Sequence, residues 1–525
     1  MNQKKKIRFS VFLPPWILLV AMIGLSLIDY ERFYGSLSAV AGWITNDLAW
    51  MLALCGIVCV VLLVVVYCSD FSKIKIGGPD AVPIVKKTTW RYITLTTTIG
   101  AGLLFFASSE PLLHYMSPPT NITQGAASGE SALWAMETLY LEWTWVPYSV
   151  YTVAALMFGF VFYNMKKKQT LSAVLVPVLG NKNSDRISSV VDVICLFSLV
   201  LGVSSAMGVG TMNIAGGLET AFGVSSNVKI WTVIIVVIVL TFLLSAISGI
   251  TKGISALANI NVYFYWFLIA FILIFGPTAF LLNFGLESAG TFFSEFFHIS
   301  AWTSASTGDG WAGSWPIYYL CAWYSWTPVT AIFLGRISRG YTVREVITTN
   351  LIFPSVFSMV WIALFGGSSI FYERAGAGLF ETMNASGMES VVYGIFKQMP
   401  LPALIIPIYI FVVFISFVTA TNSNTTAMAG LCIKDGTSED AEAPSYMKVI
   451  WAVIVGLVTF VLVKTESLDG IKMACNVAGL PICILEIAMV IGLAKIMKDP
   501  AKYDCYQENR ERDSVCGEEK EQSPD

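Results

Sequence analysis

The sequence predicts an all-α polytopic membrane protein, and three observations lead there. Charged residues make up 13% of the chain and hydrophobic ones 56%, whereas a soluble domain carries roughly a quarter charged. The apolar residues are gathered into long blocks. The block 52-LALCGIVCVVLLVVVYC-68 has no charge, and 229-KIWTVIIVVIVLTFLLSAIS-248 has one, at its edge. Blocks of about 18 to 25 apolar residues can span a bilayer as helices. The third observation is where the basic residues fall between those blocks.

Twelve spans follow in order: 11–29, 48–68, 91–116, 143–164, 189–220, 230–249, 256–284, 315–335, 347–370, 403–432, 446–463 and 472–496. The first follows the basic start 4-KKKIR-8, and no small-residue cleavage site succeeds it, so it reads as a span rather than a signal peptide. With the N-terminus inside, all but six of the 32 lysines and arginines lie on the cytoplasmic side. The six are Arg32, Lys229, Arg374, Lys397, Lys464 and Lys472. This positive-inside pattern supports the span count and places both termini in the cytoplasm, the chain lying in the cytoplasmic membrane. Residues 1–10 form a cytoplasmic segment, 11–90 carry two peripheral helices, and 285–314 lie outside, where 291-TFFSEFFHISAW-302 reads as an interfacial helix. Residues 498–525 are a polar tail of mixed charge, read as mobile and exposed. The cysteines sit mostly within apolar blocks and lack metal spacing, so they read as small core residues. No Walker motif, separate soluble domain or nucleic-acid surface is legible, which argues against ATP-driven transport and leaves membrane lipid and a small molecule as partners.

Transporters bind substrate where spans break near the midplane. Span three, 91-RYITLTTTIGAGLLFFASSEPLLHYM-116, carries Gly100 and Gly102 midway. Span eight, 315-WPIYYLCAWYSWTPVTAIFLGRISRG-340, carries Ser325, Thr327 and Pro328 midway, and proline removes a helical donor. Small-residue helix packing is the alternative for either span alone. The two breaks lie five spans apart, and an odd displacement fits two inverted five-helix repeats, 91–284 and 315–497. A third polar island, 416-SFVTATNSNTTAM-428 in span ten, is too polar for a lipid face. Its hydroxyls suit either helix packing or Na⁺.

The segments 108-SSEPLLHY-115, 143-WTWVPYSVY-151, 323-WYSWTP-328 and above all 332-IFLGRISRGYTVRE-345 resemble the betaine/choline/carnitine transporter family of secondary carriers, with the likeness running from about Phe12 to Lys495. The resemblance implies the sodium/leucine-symporter type of fold, often a homotrimer, and transport of a quaternary ammonium zwitterion or cation with Na⁺ or H⁺ or by exchange. A trimethylammonium group donates no hydrogen bond, so a protein surrounds it with π faces, each contact worth roughly 0.5 to 2 kcal/mol. The family's aromatic box, carried over by motif, falls on Trp143, Tyr148 and Tyr151 in span four and Trp323 and Trp326 in span eight. Gly100 lies in the unwound backbone expected to meet a substrate carboxylate, and a sodium site would fall on Ile99 and Thr419. No acidic residue lies inside the box segments, which suits a zwitterion. A substrate/product exchanger without ion coupling and a non-transporting ligand sensor are the alternatives.

The chain departs from the family where Ala322 and Tyr148 stand in place of tryptophans. In 98-TIGAG-102 the first glycine of the family's motif is lost, and beside Thr419 stands Ala420. Ser255 occupies the position of the exchangers' arginine, as aligned on 251-TKGISALAN-259. Glu110 and Glu142 read as solvated rim residues at the outer ends of spans three and four rather than gates or proton carriers. His114 and His298 read as outer-surface groups, and Trp145 and Trp315 as belt aromatics. No His/carboxylate or nucleophile constellation within the spans points to an enzyme.

Overall fold

In the computed structural model, residues 6–98, 100–168, 170–180, 185–248, 251–433, 444–464 and 468–506 are described, excluding the side chains of 97–101, 185, 242, 245–248, 251–259 and 419–423. The long helices are α1 (Phe9–Ile28), α2 (Tyr30–Asp47), α3 (Ala49–Cys68), α4 (Lys87–Thr98), α5 (Gly100–Met116), α6 (Gly129–Trp143), α7 (Trp145–Tyr163) and α8 (Asp185–Phe222). After these come α9 (Val228–Ser248), α10 (Thr251–Phe275), α11 (Thr278–Ala301), α12 (Pro316–Ile337), α13 (Phe353–Arg374), α14 (Pro402–Leu431), α15 (Ser445–Val463) and α16 (Asp469–Lys498). No named strand occurs among the described residues, only isolated bridges at Ile7–Ile433 and Lys75–Thr342. Every segment expected to span is mainly helical among the described residues. Among the described residues seven helical stretches are long and apolar enough to cross a membrane, or eight if the bent pair of α10 and α11 is one span. The outward faces agree: α3 exposes Leu54, Val58, Val61, Val64 and Val65, and α9 exposes Val233, Val236, Val237, Leu240 and Leu244. Such continuous apolar faces are stable only against lipid or another apolar partner.

Several boundaries differ from expectation, each for a local reason. Residues 30–47 form a helix rather than a plain connection, with Asp29 accepting from the Arg32 amide at its start. The fourth segment begins at Gly129, where Ser128 and Ser131 form a capping box, and breaks at Thr144 before α7. Trp143 therefore stands mid-stretch, not at a span's start. The seventh segment ends at Phe275, not 284, because Gly276–Pro277 stops the helix and α11 leaves at 113°. The helix expected over 291–302 thus starts at Thr278. The polar tail also docks further than expected: Tyr503 and Asp504 are buried, and Asn164 donates to Asp504 at 3.2 Å.

The break expected at Ser325–Pro328 is absent. α12 is continuous from Pro316 to Ile337. Pro328 forfeits one backbone bond, to the Tyr324 carbonyl. The hydroxyls beside it instead bond within the helix: Ser325 to the Ala322 carbonyl at 2.6 Å and Thr327 to that of Trp323 at 3.1 Å. In the third segment α4 and α5 flank residue 99, which lies outside the described residues.

Packing centres on α8, which contacts α14, α15 and α16. Two pairs of contacts recur at a displacement of five spans. α7 packs on α12 as α5 packs on α13, and α8 on α15 as α9 on α14. Glycines set two of the closest approaches. A Cβ on Gly159 of α7 would lie 3.0 Å from the Gly335 carbonyl of α12, and one on Gly479 of α16 would lie 2.4 Å from the Cys321 Cα of α12. Backbones this close leave no space for any side chain at either position.

Candidate functional site

The apposed helices α6, α7 and α12 bring four of the five box residues together. Trp323 projects from α12 with 6% of its surface exposed. Its ring centroid lies 5.3 Å from Trp143, 5.7 Å from Tyr148 and 5.1 Å from Tyr151, each pair near edge-to-face. Edge-to-face pairs align a positive ring edge with a negative ring face. Tyr148 and Tyr151 share one face of α7 because they are three residues apart. The Trp323 indole N–H donates to the Glu142 carbonyl at 2.8 Å. That carbonyl belongs to the last turn of α6, where the helix leaves acceptors without intrahelical donors. Tyr148 shares a hydrogen bond of 3.1 Å with Ser358 of α13.

Trp326 does not join this cluster. Its ring edge approaches Gly202 of α8, where an added Cβ would lie 3.3 Å from Trp326 Cδ1. On α12 the ~60° offset of this spacing falls at the boundary with α8, so Trp326 meets Gly202 while Trp323 meets α6 and α7. Gly100 begins α5, and its neighbour Gly102 packs beneath the cage: a Cβ there would lie 2.4 Å from Trp143 Cη2. Ile99 and the Thr419 side chain lie outside the described residues, as does the Ser255 side chain. Further along the polar island, Ser416 bonds Asn261 at 2.7 Å and Tyr265 at 3.1 Å, a use in helix packing.

The cage extends to residues that sequence reasoning missed. Tyr319, one turn before Trp323, lies 5.3 Å from Trp143 and 5.5 Å from Phe106. Spacing of four from Trp323 was the available signal. Trp143 Nε1 is buried without a hydrogen-bond partner among the described residues.

Beside the cage the rim expectation fails. Glu110 and His114 are 0% exposed and Glu142 is 2% exposed, because α12 and its preceding turn cover them. Tyr319 donates to Glu110 Oε2 at 2.7 Å, and His114 Nε2 lies 3.0 Å from Glu110 Oε1. Trp315, expected as a belt aromatic, also meets this cluster. Its half-buried ring stands edge-on to His114 at 4.8 Å and receives the Lys472 ammonium 3.3 Å from its centroid. Trp145 is half-buried against Phe293 of α11 at 5.8 Å. His298, by contrast, is solvent-facing beside Glu295. Ligand atoms of Glu110, His114 and Glu142 come within 4.8 Å of one another. Lys472 already places a positive charge near both carboxylates, so this set is not assigned to a metal.

Membrane-length apolar helices, with no named strand among the described residues, define a polytopic α-helical membrane protein. The description "BCCT, betaine/carnitine/choline family transporter" matches residues 10–502, and the chain belongs to that family. It is 27% identical to an osmo-dependent choline transporter of Acinetobacter baylyi over 92% of this chain and 70% of that one. It is 27% identical to an ectoine/hydroxyectoine transporter of Virgibacillus pantothenticus over 93% and 95%. A glycine betaine transporter of Bacillus subtilis is 28% identical over 92% and 93%.

Proposed function

We propose that this chain is a secondary carrier of a quaternary ammonium solute, zwitterion or cation, held in the cage of Trp143, Tyr148, Tyr151 and Trp323. The observation that carries this reading is Trp323 enclosed by three rings from the neighbouring helices. A cation is held within ~6 Å of each ring centroid, and the three rings that meet Trp323 edge to face, at 5.1 to 5.7 Å, supply such faces from two neighbouring helices. Alternating access by rocking of one repeat against the other would move α12 relative to α7. The recurrence of contacts at five spans supports two inverted repeats. The unpartnered Trp143 indole N–H supplies a donor for the carboxylate of a zwitterion. Relatives named for choline, glycine betaine and ectoine transport support this substrate class.

The proposal places the protein in the cytoplasmic membrane with both termini inside, as a homotrimer. Uptake of labelled glycine betaine, choline and carnitine into proteoliposomes tests it, together with counterflow against unlabelled solute. Binding without uptake or counterflow would identify a sensor instead. Replacing external Na⁺ by K⁺ tests the expectation of a sodium site at Ile99 and Thr419.

A further inference from the structure

Four ionisable residues with no role in the cage converge at its edge from three separate stretches of chain. Glu110 and His114 stand one turn apart on α5, Glu142 closes α6, and Lys472 opens α16. Tyr319 and His114 occupy one side of the Glu110 carboxylate each. The Glu142 carboxylate lies within 4.8 Å of Glu110 and His114. Neither of its oxygens has a hydrogen-bond partner among the described residues, and neither has His114 Nδ1. A carboxylate buried without a donor is costly, and one facing a second carboxylate is costlier still.

Charge counting identifies what is missing. Lys472 is electrostatically close to both carboxylates. Its Nζ, however, is held by the Ser314 carbonyl at 2.9 Å and the rings of Trp315 and Tyr318. Lys472 offsets one of the two carboxylates, which leaves one negative charge on the pair before any proton on His114 is counted. A single proton removes that charge and supplies the absent donor between Glu110 and Glu142. The other titratable groups facing the cluster are Tyr318 and Tyr319 from α12, with Cys475 and Asp469 from α16. Glu137 of α6 faces Glu295 instead, Arg374 of α13 lies over Tyr115, and Asp309 engages Thr120, Thr307 and Trp311. A divalent cation would meet the repulsion of Lys472.

The cluster is joined to the cage through one turn of helix. Glu142 precedes the cage residue Trp143, and its carbonyl receives the Trp323 N–H. Tyr319 touches both Glu110 and Trp143. Any movement of α12 relative to α6 would therefore disturb the environment of both carboxylates. We infer that Glu110 and Glu142 form a shared proton site at the edge of the cage, binding one proton per solute carried and coupling transport to the proton gradient. This inference rests on the transport reading above.

The test uses the full chain in proteoliposomes containing a trapped pH dye, with the potential clamped at zero. One proton per solute converts an inward gradient of one pH unit into about tenfold accumulation. Labelled glycine betaine or choline should accumulate to that ratio while the lumen acidifies. In Glu110→Gln and Glu142→Gln, accumulation should fall to the level found without a gradient, and solute-dependent acidification should disappear. Quenching of tryptophan fluorescence by the solute reports that each variant is folded. Should either fail to fold, Glu142→Asp carries the test: a shifted pH dependence of accumulation supports the site, and a pH profile identical to the wild type overturns it. Counterflow at equal pH separates the two readings. Its absence in the wild type would sink transport itself. Counterflow without acidification, or acidification persisting in both glutamine variants, would overturn the proton site alone. So would uptake at fixed pH that follows added Zn²⁺ and is abolished by a chelator.

Discussion

Trp323→Ala removes the ring that Trp143, Tyr148 and Tyr151 all touch. Its loss deletes three edge-to-face contacts, with Trp143, Tyr148 and Tyr151, at about 0.5–1.5 kcal/mol each. It also strips the Glu142 carbonyl of its indole donor, an unsatisfied buried acceptor costing about 1–3 kcal/mol. Solute binding loses a cation–π face worth about 0.5–2 kcal/mol, a 2- to 30-fold weakening, before any collapse of the cage is counted. Uptake should be abolished with expression intact. Trp323→Phe separates the contributions, since it keeps a π face but lacks the N–H. Its affinity should fall within a few-fold of wild type, while its melting temperature in detergent should drop. The assay is equilibrium binding of glycine betaine and choline beside vesicle uptake. Near-normal affinity in Trp323→Ala would remove Trp323 from the site and with it the cage argument.

Three further expectations follow from the same geometry. Gly102→Ala should suppress uptake about as strongly as a cage substitution, because its Cβ would lie 2.4 Å from Trp143 Cη2 and displace that ring; unchanged binding would show that Trp143 is not positioned by α5. Trp326→Ala should weaken solute affinity far less than Trp323→Ala, since Trp326 faces Gly202 of α8; equal losses in binding titrations would return it to the cage. In the loop before α12, burial raises the pKa of Asp309, but hydrogen bonds from Trp311 and Thr120 outweigh it and hold the carboxyl below its ordinary value. A depressed carboxylate stabilises above its unfolded pKa and loses that contribution only as pH falls below about 4. Asp309→Asn should therefore leave the shape of the uptake profile between pH 5 and 8 unchanged, and an altered profile would give this loop a part in coupling.

The helical elements were legible because span formation depends on composition summed over some twenty residues, which tertiary context scarcely alters. The errors fell where local sequence carried competing signals. Pro328 marks a break in isolation, yet α12 runs through it, losing only the one backbone bond that proline cannot donate. The turn at Gly276–Pro277 was absorbed into an apolar run because hydropathy is blind to direction. Trp143 and Trp323 were recognisable by motif, whereas Tyr319 and Phe106 lay in segments that offered only spacing. Glu110 and Glu142 looked like rim residues because linear position near a span's end was the only measure of depth.

By itself the sequence determined a helical membrane chain, its family and the rings suited to a quaternary ammonium group, because hydropathy and side-chain chemistry are properties of the residues alone. Tertiary structure decided which rings share a cage, why Trp326 is left out, and that Glu110, His114, Glu142 and Lys472 meet. Those outcomes depend on the rotation and apposition of helices: Trp323 bonds a carbonyl 181 positions away, and Tyr319 a carboxylate 209 positions away. Helices brought so close by Gly159, Gly335 and Gly479 fix that register through packing, which no local pattern in the chain encodes.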